Sequence, residues 1–180
     1  NLIFYQSEAN TAMMGPNYYE MDLDKVVGLA YWGMIDYLGE SNGWPAKGWS
    51  QGIFDISLEP KPIAYFLKSI FVPEEPVVHI GIIDSDDNTV WNDVKVGTQR
   101  MSDHWNRKAG SSMSLYTYTN ADEVELLVNG KSIGTKQNTK NPKNRNKIKW
   151  DNVKYEAGNI EAVAKTGGKV VARHKIETTS

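Results

Sequence analysis

The hydrophobic period of this chain changes once, across Val72-Pro73-Glu74-Glu75-Pro76. Before that point, Ile63, Phe66, Leu67, Ile70 and Phe71 recur at helical spacing. Pro62 suits the first turn, where a missing N–H costs nothing. After it, apolar residues alternate with polar ones. Val124, Leu126 and Val128 alternate with Glu123 and Glu125; Met113, Leu115 and Thr117 alternate with Ser114, Tyr116 and Tyr118. A period near 3.6 and a period of 2 demand different backbones. The chain therefore divides into residues 1–72 and residues 73–180, joined where two prolines and two acids end a helix.

The second part carries the signals of an antiparallel sheet protein. Val77-Val78-His79-Ile80 opens it, and Ile148, Trp150, Ile160, Ala162 and Val163 continue it. Asn129-Gly130 predicts a two-residue hairpin, because a type I′ turn needs positive φ twice. Thr166-Gly167-Gly168-Lys169 turns into Val170-Val171-Ala172-Arg173-His174. Short alternating strands separated by turns predict a β-sandwich of about seven strands. Residues 84–112, with Trp91, His104 and Trp105, are expected to form a long irregular insertion.

The first part opens on Leu2-Ile3-Phe4-Tyr5, running into Ser7-Glu8-Ala9-Asn10. A second apolar run, Val26 to Trp32, leads to Asp36-Tyr37-Leu38-Gly39-Glu40. An apolar strand with an acidic residue at its C-terminal end is how a (β/α)8 barrel presents catalytic groups. Two strands cannot close a barrel, so residues 1–72 are expected to be its last strands and helix. The helix stripe is expected to bury against residues 1–7 and 26–32. Open strand edges pair with whatever is available. This piece is therefore expected to dock on the sandwich or on a second copy of the chain.

Composition narrows the chemistry. A net charge of −2 gives no case for nucleic-acid or membrane-surface attraction, and there is no cysteine for a disulfide or thiolate metal site. No apolar run approaches the ~20 residues of a membrane span. His79, His104 and His174 show no metal-ligand spacing, and neither a metal nor a cofactor is expected. The basic run Lys140, Lys143, Arg145, Lys147 and Lys149 lacks interleaved aromatics and reads as a solvated arm. Six Trp and nine Tyr are many for 180 residues. Such rings either pack a core or stack on sugar faces. Trp44 and Trp49 lie in a Gly/Pro-rich loop as expected anchors.

Ser7-Glu8 after a strand, and Tyr31-Trp32-Gly33-Met34-Ile35-Asp36-Tyr37-Leu38-Gly39-Glu40 after the next, resemble glycoside hydrolase family 2. The resemblance continues through Trp44-Pro45, Gly52-Ile53-Phe54-Asp55 and Lys61-Pro62-Ile63-Ala64-Tyr65. Thr119-Asn120-Ala121-Asp122-Glu123-Val124-Glu125-Leu126 and Asn129-Gly130-Lys131 are similar to the immunoglobulin-like domain that follows the barrel in that family.

The resemblance implies a retaining exo-β-glycosidase, β-galactosidase first, acting on a β-galactoside or related β-glycoside. It implies Glu8 as the nucleophile and Trp32 as the sugar-subsite floor; Asp36, Tyr37 and Glu40, on the loop at the catalytic face, are expected either to bind substrate or to shape the loop, and Asn10 and Tyr5 to bind or support it. It puts the acid/base carboxyl upstream, so this chain alone is expected to be inactive. It also implies a bacterial periplasmic or secreted protein. Gly33 and Ile35 stand where the family more often has Thr and Trp, which leaves the sugar open. Two other readings of residues 77–180 stay open: a carbohydrate-binding module using Trp91, Trp105 and Tyr116, or a domain that braces the barrel.

Overall fold

The structure is a computed structural model and describes residues 3–9, 18–39, 48–86, 90–91, 94–95 and 99–179. Asn10, Glu40 and Trp44 lie outside the described residues, as do the side chains of Glu8 and Trp91.

Strand β1 (Phe4–Ala9) pairs in parallel with β2 (Val26–Tyr31), and a 3₁₀ turn sits at Tyr18–Glu20. A short hairpin, β3 (Tyr37–Leu38) with β4 (Gly48–Trp49), follows. Helix α1 (Pro62–Phe71) begins on its proline as expected. Then come β5 (Val78–Asp86), the small pair β6 (Val90–Trp91) and β7 (Val94–Lys95), and β8 (Gln99–Ser102). The remaining strands are β9 (Ser112–Thr119), β10 (Glu123–Val128), β11 (Lys131–Gln137), β12 (Lys147–Lys154), β13 (Asn159–Thr166) and β14 (Lys169–Glu177).

Two antiparallel four-stranded sheets, ordered β11-β10-β13-β14 and β12-β9-β5-β8, make a β-sandwich. Ile80, Ile82, Leu115, Val124, Leu126, Ile160 and Ala162 fill it, all fully buried. Alternation puts them there, since successive strand side chains face opposite sides. Asn129 and Gly130 hold φ of 49° and 76°, the positive pair that the β10–β11 turn demands.

The 84–112 insertion is corrected. Its start belongs to β5 and its middle to β8, which pairs with β5. Trp105 is fully buried between the sheets and donates its indole N–H to the Glu156 carbonyl at 2.9 Å. Eight strands rather than about seven form the sandwich because β8 joins the edge. The motif residues fasten loops. The Asn120 amide bonds Val77 N–H, the Glu75 carbonyl and the Pro73 carbonyl at 3.0, 2.8 and 3.2 Å, so the proline-rich segment is a pinned turn. Asn129 accepts from Asn159 N–H at 2.8 Å and donates to the Ala157 carbonyl at 3.0 Å.

Helix α1 packs chiefly on β9 and β5 of the sandwich, one of the two dockings expected for this piece, rather than chiefly on residues 1–7 and 26–32. Phe66, Leu67 and Ile70 are buried with Ile53 and Tyr118, and Tyr31 at the end of β2 touches the same cluster. Each such side chain contributes roughly 1.5–3 kcal/mol. Phe71 stays half exposed, edge-on to Tyr18 at 5.1 Å.

Asn146 locks this junction from the β11–β12 loop. Its amide donates to the Ser69 carbonyl (3.0 Å), the Ser69 hydroxyl (3.1 Å) and the Tyr19 hydroxyl (2.9 Å). Asn138 holds Asn146 in turn. The basic run is thus only partly a solvated arm. Lys140 and Lys143 are exposed, but Arg145 covers the Tyr19 ring at 4.2 Å and Lys147 lies over Phe66 at 5.9 Å.

Candidate active site

Parallel pairing brings the C-terminal ends of β1 and β2 to one edge. Gln6 sits opposite Leu29 and Ala9 opposite Tyr31, so β1 advances three residues while β2 advances two. The extra residue falls at Ser7-Glu8. Such bulges re-aim a side chain and are over-represented beside active sites. Trp32 follows directly after β2 and is 42% exposed.

Gly33 turns the chain with φ +65°, and a Cβ there would meet the Trp49 indole nitrogen at 2.5 Å. Trp49 therefore rests against the backbone beside Trp32, as the loop anchor expected, and pairs with Tyr37 across the β3–β4 hairpin. Its indole nitrogen is buried without a hydrogen-bond partner among the described residues.

Asp36 is engaged on both oxygens. Lys61 Nζ lies 2.6 Å from Oδ2 and 2.7 Å from Oδ1, and Gly52 N–H donates to Oδ1 at 2.8 Å. Lys61 also reaches the Ser50 carbonyl at 2.9 Å. The ion pair ties the strand that leaves the edge to the segment that enters α1. Tyr37 and Trp49 line a cleft of about 350 Å³ beside it. Trp32, Asp36, Tyr37 and the Glu8 backbone thus belong to one end of the N-terminal part, and Asn10 lies outside the described residues.

A second titratable cluster escapes sequence reasoning. His79 and His174 stack at 3.9 Å, and Tyr65 of α1 stacks on His79 at 3.7 Å. His174 Nδ1 accepts the Ile80 N–H at 3.0 Å, which requires the neutral ring. Burial, reinforced by His174, pushes the His79 pKa down to about 3, and burial lowers His174 too. Among the described residues no group of three or more His, Cys, Asp or Glu could hold a metal. The 95-residue separation of the two histidines hides the pair from any local motif.

Known proteins are similar to this chain in sequence and fold. A family model described as a domain of unknown function, DUF4982, matches residues 110–172. The chain is 35% identical over 160 residues to a β-galactosidase, BoGH2A, of Bacteroides ovatus, covering 87% of this chain and 16% of that protein. It is 34% identical over 113 residues to a β-glucuronidase of Formosa agariphila, covering 63% and 9%. A solved glycosyl hydrolase family 2 member from Bacteroides cellulosilyticus superposes with a TM-score of 0.81 at 27% identity, over 99% of this chain and 25% of that one. The chain belongs to glycoside hydrolase family 2. It spans about a sixth of the length of the family 2 β-galactosidase it matches. The family 2 structural match runs through both the parallel pair and the sandwich, because it covers nearly the whole chain.

Proposed function

We infer that this chain works within a retaining β-glycosidase, as the last two strands and closing helix of its catalytic barrel and the sandwich that braces them. The observation that carries this reading is the parallel β1–β2 pair, ending together with an extra residue at Ser7-Glu8. Phe4, Tyr5 and Val27 on that pair are 56, 59 and 67% exposed, and Ile3 just before it is 74% exposed. Parallel sheets are normally covered on both faces, so this apolar exposure supports neighbouring barrel elements around it.

In this reading Glu8 attacks the anomeric carbon as the aglycone leaves, forming a glycosyl-enzyme. Water then releases the sugar with retained configuration. The second carboxyl, about 5–5.5 Å from the nucleophile, protonates the aglycone and later deprotonates the water. Family resemblance puts that carboxyl upstream of Glu8. Trp32 floors the sugar subsite, Asn10 and Tyr37 contact the sugar, and Asp36 fixes the surrounding loop through Lys61. β-Galactosides are the first substrate class, with related β-glycosides next.

The bracing role of residues 73–180 is supported by Trp105, whose burial leaves no face for a sugar, and by the Asn146 contacts to α1. Tyr116 is partly buried and stacked near Tyr118.

Glu8→Gly in the intact protein is expected to abolish turnover of an aryl β-galactoside. Azide should restore it, attacking the anomeric carbon in place of Glu8 and giving the α-glycosyl azide as the phenol departs. A folded Glu8→Gly variant that keeps its activity, or that azide cannot rescue, would overturn the assignment.

A further inference from the structure

We propose that the cleft between the β3–β4 hairpin and strand β8 binds a saccharide unit carrying a carboxylate or sulfate group, with Arg100 as its anion receptor. This rests on the glycosidase reading, since the cleft adjoins Trp32 through Trp49 and Gly33. It adds a partner from the other side. Arg100 comes from the sandwich, on β8 opposite Ser85 of β5. Tyr37 and Trp49 come from the loop region that follows β2.

The cleft is about 350 Å³, within the size range of ligand pockets. Its acids and its base are in different states. Asp36 spends both oxygens on Lys61 and Gly52. Asp55 Oδ1 accepts the N–H groups of Ser57 and Glu59, at 2.7 and 3.0 Å. The Arg100 guanidinium forms neither an ion pair nor a hydrogen bond among the described residues, although it is exposed and lines the cleft. Its fork of donors matches a carboxylate or sulfate bidentately.

The rest of the wall suits a sugar. Trp49 is held in one place by its contact with Gly33, so its ring is preorganised for stacking on pyranose C–H faces. Leu38 and Ile56 stand 72% and 60% exposed at the rim, where they would cover the apolar side of the ring. A charged group at one end and an aromatic wall at the other fix the orientation of a single residue of an acidic glycan.

The test is an NMR titration of the isotopically labelled 180-residue chain. The ligands are methyl β-D-glucuronide, glucose 6-sulfate, methyl β-D-glucoside and inorganic sulfate. The two acidic sugars are expected to shift the Trp49 indole and Arg100 guanidinium signals, with the neutral glucoside about ten-fold weaker, the size of one charge-assisted contact. Arg100→Gln should bring the acidic sugars down to the neutral one, and Arg100→Lys should recover part of the difference. Arg100 is exposed, and unchanged thermal melts would confirm that its variants fold.

Equal binding of charged and neutral sugars, binding indifferent to Arg100→Gln, or no shift with any sugar would overturn the proposal. Inorganic sulfate acting as strongly as the sugars would also overturn it, by leaving a bare anion site. Binding needs no turnover, so a negative result here refutes the subsite alone. Failed azide rescue of Glu8→Gly refutes the catalytic reading alone.

Discussion

Asn146→Ala should destabilise the junction between α1 and the sandwich by about 3–4 kcal/mol. Asn146 is 4% exposed and sits at φ 65°, a left-handed conformation that asparagine tolerates and alanine resists at roughly 1–2 kcal/mol. Its amide serves the Ser69 carbonyl, one of the last four of α1 and so without a helical partner. It also serves the Ser69 and Tyr19 hydroxyls. The hydroxyls can turn to other partners, but the carbonyl cannot. Losing two effective hydrogen bonds at about 1 kcal/mol each, on top of the backbone strain, gives the total. That is a large part of the roughly 5–15 kcal/mol that holds a domain together. Urea unfolding followed by tryptophan fluorescence would measure it, and hydrogen exchange would show α1 opening first. Asn146→Gly removes the same amide without the strain and should cost ~1–2 kcal/mol less. A loss under about 0.5 kcal/mol for Asn146→Ala, or no difference between the two variants, would refute the reasoning.

Three further outcomes follow from the same structure. The His79 pKa is lowered on folding, so its stabilisation is complete above the unfolded value near 6.5 and is lost as pH falls toward about 3. Stability should drop by about 2 kcal/mol between pH 7 and 5, before most carboxylates titrate, and His79→Phe should flatten that slope in pH-dependent urea melts. Gly33→Ala forces a Cβ to 2.5 Å from the Trp49 nitrogen at positive φ. It should displace Trp49, change the near-ultraviolet dichroism and cost ~2 kcal/mol. Phe66→Ala, at a site 1% exposed, should cost about 3–5 kcal/mol in the same melts.

Local signals carried most of the fold. The β10–β11 turn was legible because Asn129-Gly130 has almost one way to satisfy two positive φ angles. Helix α1 was legible from its stripe and its first-turn proline. Docking on the sandwich was one of two expected outcomes, but the receiving strands were not legible, because periodicity names an apolar face and not its partner. The sheet that receives Phe66 and Ile70 lies beyond the turn that Asn120 pins. Trp105 looked like loop chemistry because the residues around it are polar and irregular, yet one large ring closes that end of the core. Asn146 and the His79–His174 stack depend on pairings across 77 and 95 residues, which no window of sequence contains. At the candidate site, the strand-end acid pointed to Glu8 and the family resemblance to Trp32, with Asp36 and Tyr37 on the loop that follows. The Lys61 engagement of Asp36, and an Arg100 guanidinium on the cleft with no partner among the described residues, emerged only from the tertiary arrangement.

The most direct measurement of the central claim is covalent trapping of the nucleophile. The intact protein would be treated with a 2-deoxy-2-fluoro-β-galactosyl inactivator, digested, and the modified peptide sequenced by mass spectrometry. The 2-fluorine slows release of the glycosyl-enzyme, so the sugar stays on the residue that attacked. One added fluorosugar is expected, on Glu8 in the peptide around Phe4-Tyr5-Gln6-Ser7-Glu8. A label on any other carboxylate, or complete inactivation with Glu8 unmodified, would contradict that assignment.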